Sequence, residues 1–142
     1  MKEEIKYYSR IEEMSDAELK KRIEHSMIVE LTNKIKVVPY MGKIDEIISY
    51  TYPELIARCP MTGVMDLYTI EIEYTPNLFI PELKSLKLYL WNYDQIPISH
   101  EHLFARIWKD FTDTVQPKWC GIILSVAPRG QVVTKISYEK TF

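Results

Sequence analysis

Residues 66–74 read Asp-Leu-Tyr-Thr-Ile-Glu-Ile-Glu-Tyr, and this stretch decides the fold that the sequence predicts. Tyr68, Ile70, Ile72 and Tyr74 share one parity, while the intervening positions are mostly polar. Such alternation is typical of a β-strand with one face on a hydrophobic core. We therefore predict a strand over 66–74 and expect its apolar face to be buried.

Three further stretches predict strands that can pair with the first one. They are residues 45–52, rich in Ile and Tyr, and the apolar runs 119–126 and 132–138, which are joined by the turn Pro128-Arg129-Gly130. Two prolines follow the strand at 45–52, and we expect a loop that runs from Pro53 through Pro60.

Three segments have the periodicity of amphipathic helices. The first begins at a capping box over residues 15–18 and carries an apolar residue every four positions. The second covers residues 82–93; its leucines also suit a strand, but Pro81 favours a helix because a first turn tolerates proline. The third covers residues 100–115 and ends before Pro117.

The predicted order is therefore helix, strand, strand, helix, helix, strand, strand. This order indicates an α+β fold, in which an antiparallel four-stranded sheet is covered on one face by two helices. With 142 residues and no visible linker, the chain is expected to be a single domain, 1–142. Residues 1–40 would form an N-terminal helical extension, and residues 45–138 the core.

Composition narrows the class of function. The net charge of -2 argues against a general nucleic-acid binder, which usually presents a basic face. No apolar run approaches the roughly 18 residues of a membrane helix, and Met1 to Arg10 lacks the apolar centre of a secretory signal. Two cysteines are too few for a disulfide framework. We therefore expect a reducing, cytoplasmic setting and no membrane partner.

The first candidate site is the stretch Cys59-Pro60-Met61-Thr62-Gly63-Val64-Met65-Asp66. A cysteine thiolate is a strong nucleophile, and a nearby carboxylic acid can supply or accept a proton. A single cysteine is, however, more often a small buried residue. This stretch alone therefore leaves catalysis and core packing open, whereas Cys120, inside an apolar strand, is expected to pack in the core.

The second candidate is the run Glu82-Leu83-Lys84-Ser85-Leu86-Lys87. On a helix Lys84 and Lys87 share a face beside Ser85, and two cations with a hydroxyl can hold phosphate. The alternative is a solvated charged face. The sequence has no G-x-G-x-x-G, which excludes a Rossmann cofactor domain.

The third candidate is His100-Glu101-His102. Helical residues two positions apart diverge by about 200° around the axis, so we predict no metal site here. Glu101 is better suited to accept hydrogen bonds from a substrate. Arg129 is either a plain turn residue or a phosphate ligand.

Taken together and in this order, these motifs resemble the QueF family of nitrile reductases, which has the tunnelling fold, or T-fold. The resemblance covers roughly residues 45–138. Its specific parts are Cys59-Pro60-Met61-Thr62-Gly63 with Asp66, the run Glu82 to Tyr89, His100-Glu101, and Ala127-Pro128-Arg129-Gly130.

The resemblance implies NADPH-dependent reduction of 7-cyano-7-deazaguanine to 7-aminomethyl-7-deazaguanine, in queuosine biosynthesis for tRNA modification. It gives Cys59 the role of a nucleophile that forms a thioimide, and Asp66 the role of general acid. It assigns the substrate to Pro81, Glu82, Leu83, His100 and Glu101, and the NADPH phosphates to Lys84, Ser85, Lys87 and Arg129. It also implies a homo-oligomer of stacked rings, a decamer, with sites between subunits and no direct contact with nucleic acid.

Two alternatives remain open from the sequence. One is an amidine-forming enzyme of the archaeosine-synthase type, which has the same fold but acts on the nitrile within tRNA. The other is a non-catalytic α+β binding module in which Cys59 is buried far from Asp66.

Overall fold

The computed structural model describes residues 5–9, 11–130 and 132–142, so residues 1–4 and 10 of the predicted N-terminal extension lie outside it. The helices are α1 (Asp16–Ile28), α2 (Leu83–Trp91) and α3 (His100–Val115), with short 3-10 helices at Ile11–Glu13 and Asn92–Gln95. The strands are β1 (Val37–Pro39), β2 (Ile48–Arg58), β3 (Met65–Thr75), β4 (Phe79–Pro81), β5 (Trp119–Arg129) and β6 (Val132–Thr141).

The main sheet has four strands in the order β2-β3-β5-β6, and every neighbouring pair is antiparallel. Helices α2 and α3 cover one face of this sheet, and their apolar residues share one core with it. The predicted α+β fold is confirmed, with its sheet and its two covering helices. Among the described residues, no helix is long and apolar enough to cross a membrane.

Strand β3 follows the alternation that its sequence predicts. Tyr68, Ile70, Ile72 and Tyr74 are at most 2% exposed and face the helices. Leu67, Glu71 and Glu73, on the opposite face, are exposed. Each fully buried side chain of this size stabilises the fold by roughly 1.5–3 kcal/mol, so the register of β3 is strongly determined.

The predicted loop from Pro53 to Pro60 is wrong over most of its length, because β2 continues to Arg58. The register of β2 against β3 shifts between Tyr52 and Leu55, which marks a β-bulge at Pro53. A proline lacks the N–H of a ladder hydrogen bond, and an edge strand with a bulge is where a sheet accepts one. After the bulge, Leu55 and Ala57 are fully buried.

A second, two-stranded sheet was not predicted. It is formed by β1 and β4, which are three residues each and therefore too short to show a period in the sequence. Pro81 is the last residue of β4, paired with Val37, and does not lie in the first turn of α2 as predicted. Glu82 is the N-cap of α2 instead, and its side chain accepts hydrogen bonds from Lys84 N and Ser85 N.

Helix α1 begins at the predicted cap, where Ser15 Oγ accepts from Glu18 N at 3.1 Å. The Glu18 carboxylate does not complete the capping box but accepts from Arg22 Nε at 3.0 Å. At the other end of α1, buried Arg106 of α3 donates to Ser26 O at 2.8 Å and also to Val29 O. Arg106 therefore joins the end of α1 to the core helix.

We expect Arg106→Met to lower the free energy of unfolding by about 2–4 kcal/mol, because it removes two charge-assisted hydrogen bonds to the backbone carbonyls of Ser26 and Val29. Lys109→Met on the same helix is the control, since Lys109 is exposed and pairs with exposed Asp113. Urea unfolding followed by circular dichroism measures both. Equal losses in the two variants would contradict the prediction.

Candidate active site

The stretch that carries Cys59 starts from a firmly held strand end. Arg58 N donates to Ile96 O at 3.0 Å, and Ile98 N donates to Arg58 O at 2.9 Å. The Arg58 side chain adds a bond from Nε to Asp94 O at 3.0 Å. The residue before the cysteine is therefore fixed by the segment that leads into α3.

From Cys59 to Val64 the chain forms a closed turn between β2 and β3. Cys59 N donates to Val64 O, and Gly63 N donates to Cys59 O, both at 2.9 Å. Gly63 has φ of 71°, a left-handed conformation that glycine adopts at little cost. Thr62 N points at the cysteine and lies 3.5 Å from Cys59 Sγ.

Cys59 is half-buried, and its surroundings favour the thiolate. Burial alone would raise the pKa of the thiol. Hydrogen bonds from Thr62, from the Met61 amide and from Arg129 outweigh burial and bring the pKa below its ordinary value. Donors aimed at the sulfur stabilise its charged form, which is the nucleophilic one.

Asp66 lies at the start of β3 with its side chain only 6% exposed, and Arg129 Nη2 is 3.2 Å from its Oδ1. Burial raises the pKa of Asp66, and the charges of Arg129 and His100 reduce that rise without cancelling it. The carboxyl group therefore holds its proton to higher pH than an exposed aspartate. One guanidinium thus faces both a thiol and a carboxyl group whose pKa values move in opposite directions.

Tyr68 is a member of this cluster that the sequence analysis assigned only to the core. Its hydroxyl lies 2.7 Å from His100 Nδ1, and the two rings meet edge to face with centroids 5.4 Å apart. Burial raises the pKa of Tyr68, and the neighbouring charges of Asp66 and Glu101 add to the rise. The signal was available, because Tyr68 has the parity of Asp66 and is two residues away.

The structure brings Cys59, Asp66, His100 and Arg129 together, with Glu101 exposed at the first turn of α3. His102 points elsewhere, and its Nδ1 contacts Ser99 Oγ at 2.5 Å. We call this set the thiol cluster: Cys59, Asp66, Tyr68, His100, Glu101 and Arg129.

The second predicted set lies around the start of α2. Lys84 and Lys87 are exposed, whereas Ser85 is buried and its Oγ accepts from Lys36 N at 2.9 Å. The Glu82 carboxylate accepts from Ser85 N at 2.7 Å, and these backbone bonds lower its pKa. We call this set the lysine cluster: Pro81, Glu82, Leu83, Lys84, Ser85 and Lys87.

Among the described residues, no hydrogen bond or ion pair joins the two clusters. Leu83 and Lys87 line a cavity of about 300 Å³ with Ser49 to Tyr52, near the start of β2. Cys59 lies beyond the far end of the same strand. Lys87 also lines a second cavity with Ile56 and Asp94, and at about 3.3 Å per strand residue Ile56 is roughly 10 Å from Cys59. Arg129 belongs to the thiol cluster and not to the lysine cluster with which it was predicted.

Cys120 provides an internal contrast. It is fully buried in β5, and burial raises its pKa to about 12. A thiol of this kind stays protonated and unreactive. The two cysteines therefore differ in chemistry for a reason that the structure makes visible.

Comparisons with known proteins agree on one family. A family model described as "QueF-like protein" matches residues 66–141. A protein of Campylobacter jejuni named NADPH-dependent 7-cyano-7-deazaguanine reductase is 38% identical over 102 residues, which are 72% of this chain and 80% of the relative. A protein of the same name from Prochlorococcus marinus is 40% identical over 110 residues, covering 78% and 76% of the two chains.

A solved structure supports the fold. The crystal structure of an archaeosine synthase described as QueF-Like superposes with a TM-score of 0.62 and covers 68% of this chain and 95% of that one. The two sequences are 18% identical, so the likeness concerns the fold alone. The predicted T-fold is confirmed.

The raised pKa of Asp66 makes stability depend on pH. Between the pKa of Asp66 in the unfolded chain and its higher value in the folded chain, folding takes up a proton, so the stability due to the protonated carboxyl is lost as pH rises through the folded pKa. We expect Asp66→Asn, which cannot ionise, to unfold at a higher temperature than wild type near neutral pH. The difference should shrink as the solution is acidified towards the unfolded-state pKa.

Thermal unfolding at several pH values measures this effect. Asp113→Asn is the control, because Asp113 is exposed and pairs with Lys109 at 2.5 Å on the surface of α3. A wild type more stable than Asp66→Asn at neutral pH would mean that the Arg129 ion pair outweighs the desolvation of Asp66.

Proposed function

This chain belongs to the QueF-like family, and we propose from that membership that it reduces the nitrile of 7-cyano-7-deazaguanine to the primary amine of 7-aminomethyl-7-deazaguanine, using NADPH. The reaction is an oxidoreduction that serves queuosine biosynthesis. The observation that carries the proposal is the cluster of Cys59 and Asp66 around Arg129, whose Nη2 lies 3.2 Å from Asp66 Oδ1. In this cluster the pKa of Cys59 is lowered and that of Asp66 is raised, which favours a nucleophilic thiolate beside a carboxyl group that can donate a proton.

The first step is the covalent capture of the nitrile. The Cys59 thiolate attacks the nitrile carbon, a carbon–sulfur bond forms, and one C–N π bond breaks. Asp66 gives its proton to the nitrogen that receives the electron pair, which produces a neutral thioimide. This activates the substrate, because a thioimide carbon is a better hydride acceptor than a nitrile carbon.

Two NADPH molecules, bound in turn, would each supply one hydride, the first to the thioimide carbon and the second to the imine that remains after the Cys59 thiolate leaves. The second protonation of nitrogen again passes through Asp66, which is recharged from solvent between steps. Arg129 faces both Asp66 and Cys59. In this position it stabilises the thiolate each time Cys59 is released.

The residues of the lysine cluster fit a phosphate-bearing cofactor. Lys84 and Lys87 are exposed on α2, and neither makes an ion pair with another described residue. Two such cations on one helix face suit the phosphates of NADPH, including its 2′-phosphate. Ser85 is already engaged with Lys36 and Glu82 through its hydroxyl, so its part in binding is to hold the start of α2.

Substrate recognition is assigned to the two glutamates and their neighbours. The exposed carboxylate of Glu101 can accept two N–H groups from a guanine-like edge, with His100 beside it. The Glu82 carboxylate accepts from two α2 amides and has lone pairs left to accept from a substrate. The backbone of Pro81 and Leu83 lies beside Glu82 and would line the substrate there. Sites built from such acceptors reject analogues that lack the N–H groups.

The separation of the clusters points to an assembly. The thiol cluster of one subunit and the lysine cluster of another would complete a site whose two parts are joined by no hydrogen bond or ion pair within the described part of one chain. A homo-oligomer of stacked rings, a decamer in our proposal, provides such neighbours. Because catalysis needs a reduced thiol, we place the enzyme in the cytoplasm, acting on a free deazapurine and not on nucleic acid.

The amidine-forming alternative is less well supported. The archaeosine synthase has this fold, but fold alone does not distinguish the two reactions. The two Lys residues of α2 have a use in the reductase through NADPH and no use in the addition of ammonia. The binding-module alternative requires Cys59 to lie far from Asp66, whereas Arg129 pairs with Asp66 and also lowers the pKa of Cys59.

We expect wild-type protein mixed with 7-cyano-7-deazaguanine in the absence of NADPH to gain the mass of one substrate, because the thioimide cannot proceed further. Cys59→Ala should gain none and should not oxidise NADPH. Cys120→Ala is the matched control, since that buried thiol is protonated, and it should behave as wild type. Intact-protein mass spectrometry provides the measurement.

An adduct on Cys59→Ala, or none on wild type, would rule out the covalent mechanism. An adduct without NADPH oxidation, together with amidine formation in the presence of ammonia, would support the archaeosine-type alternative.

The cofactor assignment has its own prediction. Lys84→Ala and Lys87→Ala should each raise the Michaelis constant for NADPH roughly tenfold or more, the cost of one charge-assisted phosphate contact, with a smaller change in kcat. Lys20→Ala is the control, because Lys20 is an exposed lysine of α1. Steady-state rates of NADPH oxidation measure both, and unchanged constants for both variants would refute the assignment.

A further inference from the structure

The N-terminal segment lies against the turn that carries Cys59. Tyr8 N donates to Met61 O at 2.6 Å. Arg22 of α1 donates from Nη1 to Pro60 O at 2.6 Å, across 38 positions of sequence. The first two residues after the nucleophile therefore have their carbonyls held by residues that no predicted role includes.

Peptide geometry connects these contacts to the sulfur. In a planar trans peptide the carbonyl of one residue and the N–H of the next point in opposite directions. The carbonyl of Pro60 thus sets the direction of the Met61 N–H, and the carbonyl of Met61 sets that of the Thr62 N–H. The Thr62 N–H is the donor that lies 3.5 Å from Cys59 Sγ.

We propose that Arg22 and the backbone amide of Tyr8 are positioning groups, which pull two carbonyls outward and thereby turn the Met61 and Thr62 amides towards the Cys59 sulfur. The inference rests on the proposed function in taking Cys59 as the nucleophile. Both amides are among the groups that lower the pKa of Cys59. The N-terminal segment would then act on the thiolate without touching substrate.

Arg22 is itself held in place, as a positioning residue must be. Its side chain is only 12% exposed, and Glu18 accepts from its Nε at 3.0 Å. The ring of Tyr8 lies 5.4 Å from the guanidinium carbon, and Nη2 donates to Lys6 O. One guanidinium thus joins α1, the N-terminal segment and the Cys59 turn.

Tyr7 adds a steric contact to the same turn. A Cβ built on Gly63 would come within 2.9 Å of the Tyr7 ring. The ring therefore packs closely against the glycine that closes the turn. This contact and the two hydrogen bonds together hold Pro60, Met61 and Gly63 of the turn.

Other charged and titratable groups surround the thiol. Arg129, at the end of β5, also lowers the pKa of Cys59, and Asp66, Tyr68, His100 and Glu101 belong to the same cluster. These groups remain in place when Arg22 or Tyr8 is changed. A test at Arg22 and Tyr8 therefore isolates the contribution of the turn amides.

The test is the pH dependence of Cys59 alkylation by iodoacetamide in the full chain, with neither substrate nor NADPH present. In Arg22→Met the midpoint should move to higher pH by about half a unit or more, so the thiolate fraction below the midpoint falls roughly threefold or more. Lys21→Met, an exposed neighbour on α1, is the control for the loss of one positive charge. It should leave the midpoint where it is.

A second pair of variants tests the backbone amide. Tyr8→Pro lacks the N–H that bonds to Met61 O, whereas Tyr8→Ala keeps it. We expect the midpoint of Tyr8→Pro to lie above that of Tyr8→Ala. This pair also keeps the inference testable if Arg22→Met does not fold, which circular dichroism would reveal.

Midpoints of Arg22→Met and Tyr8→Pro equal to those of their controls would overturn the inference. A shifted midpoint in a protein that forms no substrate adduct would leave the inference standing and refute the proposed function. With both in place, adduct formation by Arg22→Met should be slower than wild type near neutral pH and should equal it above both midpoints. A loss of the same size at every pH would indicate a merely structural role and overturn the inference.

Discussion

The side-chain alternation of β3 is the constraint on which the rest of the structure depends. Successive side chains of a strand point to opposite faces. Once Tyr68, Ile70, Ile72 and Tyr74 occupy the buried face, the face of each remaining β3 side chain is determined. Asp66 has the same parity and is therefore turned inward at the end of the strand. The burial that builds the core thus also produces the raised pKa of the carboxyl group.

The antiparallel partner of β3 supplies the opposing charge. Tyr68 pairs with Val126, so the end of β5 lies beside the start of β3 and brings Arg129 within 3.2 Å of Asp66. Desolvation raises the pKa of the carboxyl group and attraction to the guanidinium lowers it. Desolvation is the larger effect, so the pKa of Asp66 stays above that of an exposed aspartate. The same guanidinium favours the thiolate of Cys59, so one residue serves two groups with opposite needs.

Sequence reasoning was successful where a periodic pattern extended over many consecutive residues. The alternation over β3 and the wide apolar face of α3 gave their elements correctly. The motif order paired Cys59 with Asp66, and in the structure Arg129 pairs with Asp66 and lowers the pKa of Cys59, while their catalytic roles stay a prediction. The loop predicted from Pro53 was wrong, because a bulge on an edge strand accommodates a proline without ending the strand. Strands β1 and β4 were too short to have a period. The contact of Arg22 with Pro60 joins residues 38 positions apart, and no local pattern announces such a contact.

The pairing of β3 with β5 also bears on the route by which the chain folds. Hairpins β2–β3 and β5–β6 close over short turns, whereas β3 and β5 are separated by α2 and α3 and must close a long loop before they gain any contact. Loop-closure entropy makes such non-local pairing slow, so the docking of the two hairpins is the expected late event. Asp66 lies on one hairpin and Arg129 on the other. A nascent chain with both hairpins formed would still lack the guanidinium beside its cysteine, and so its reactivity would be acquired together with the native topology.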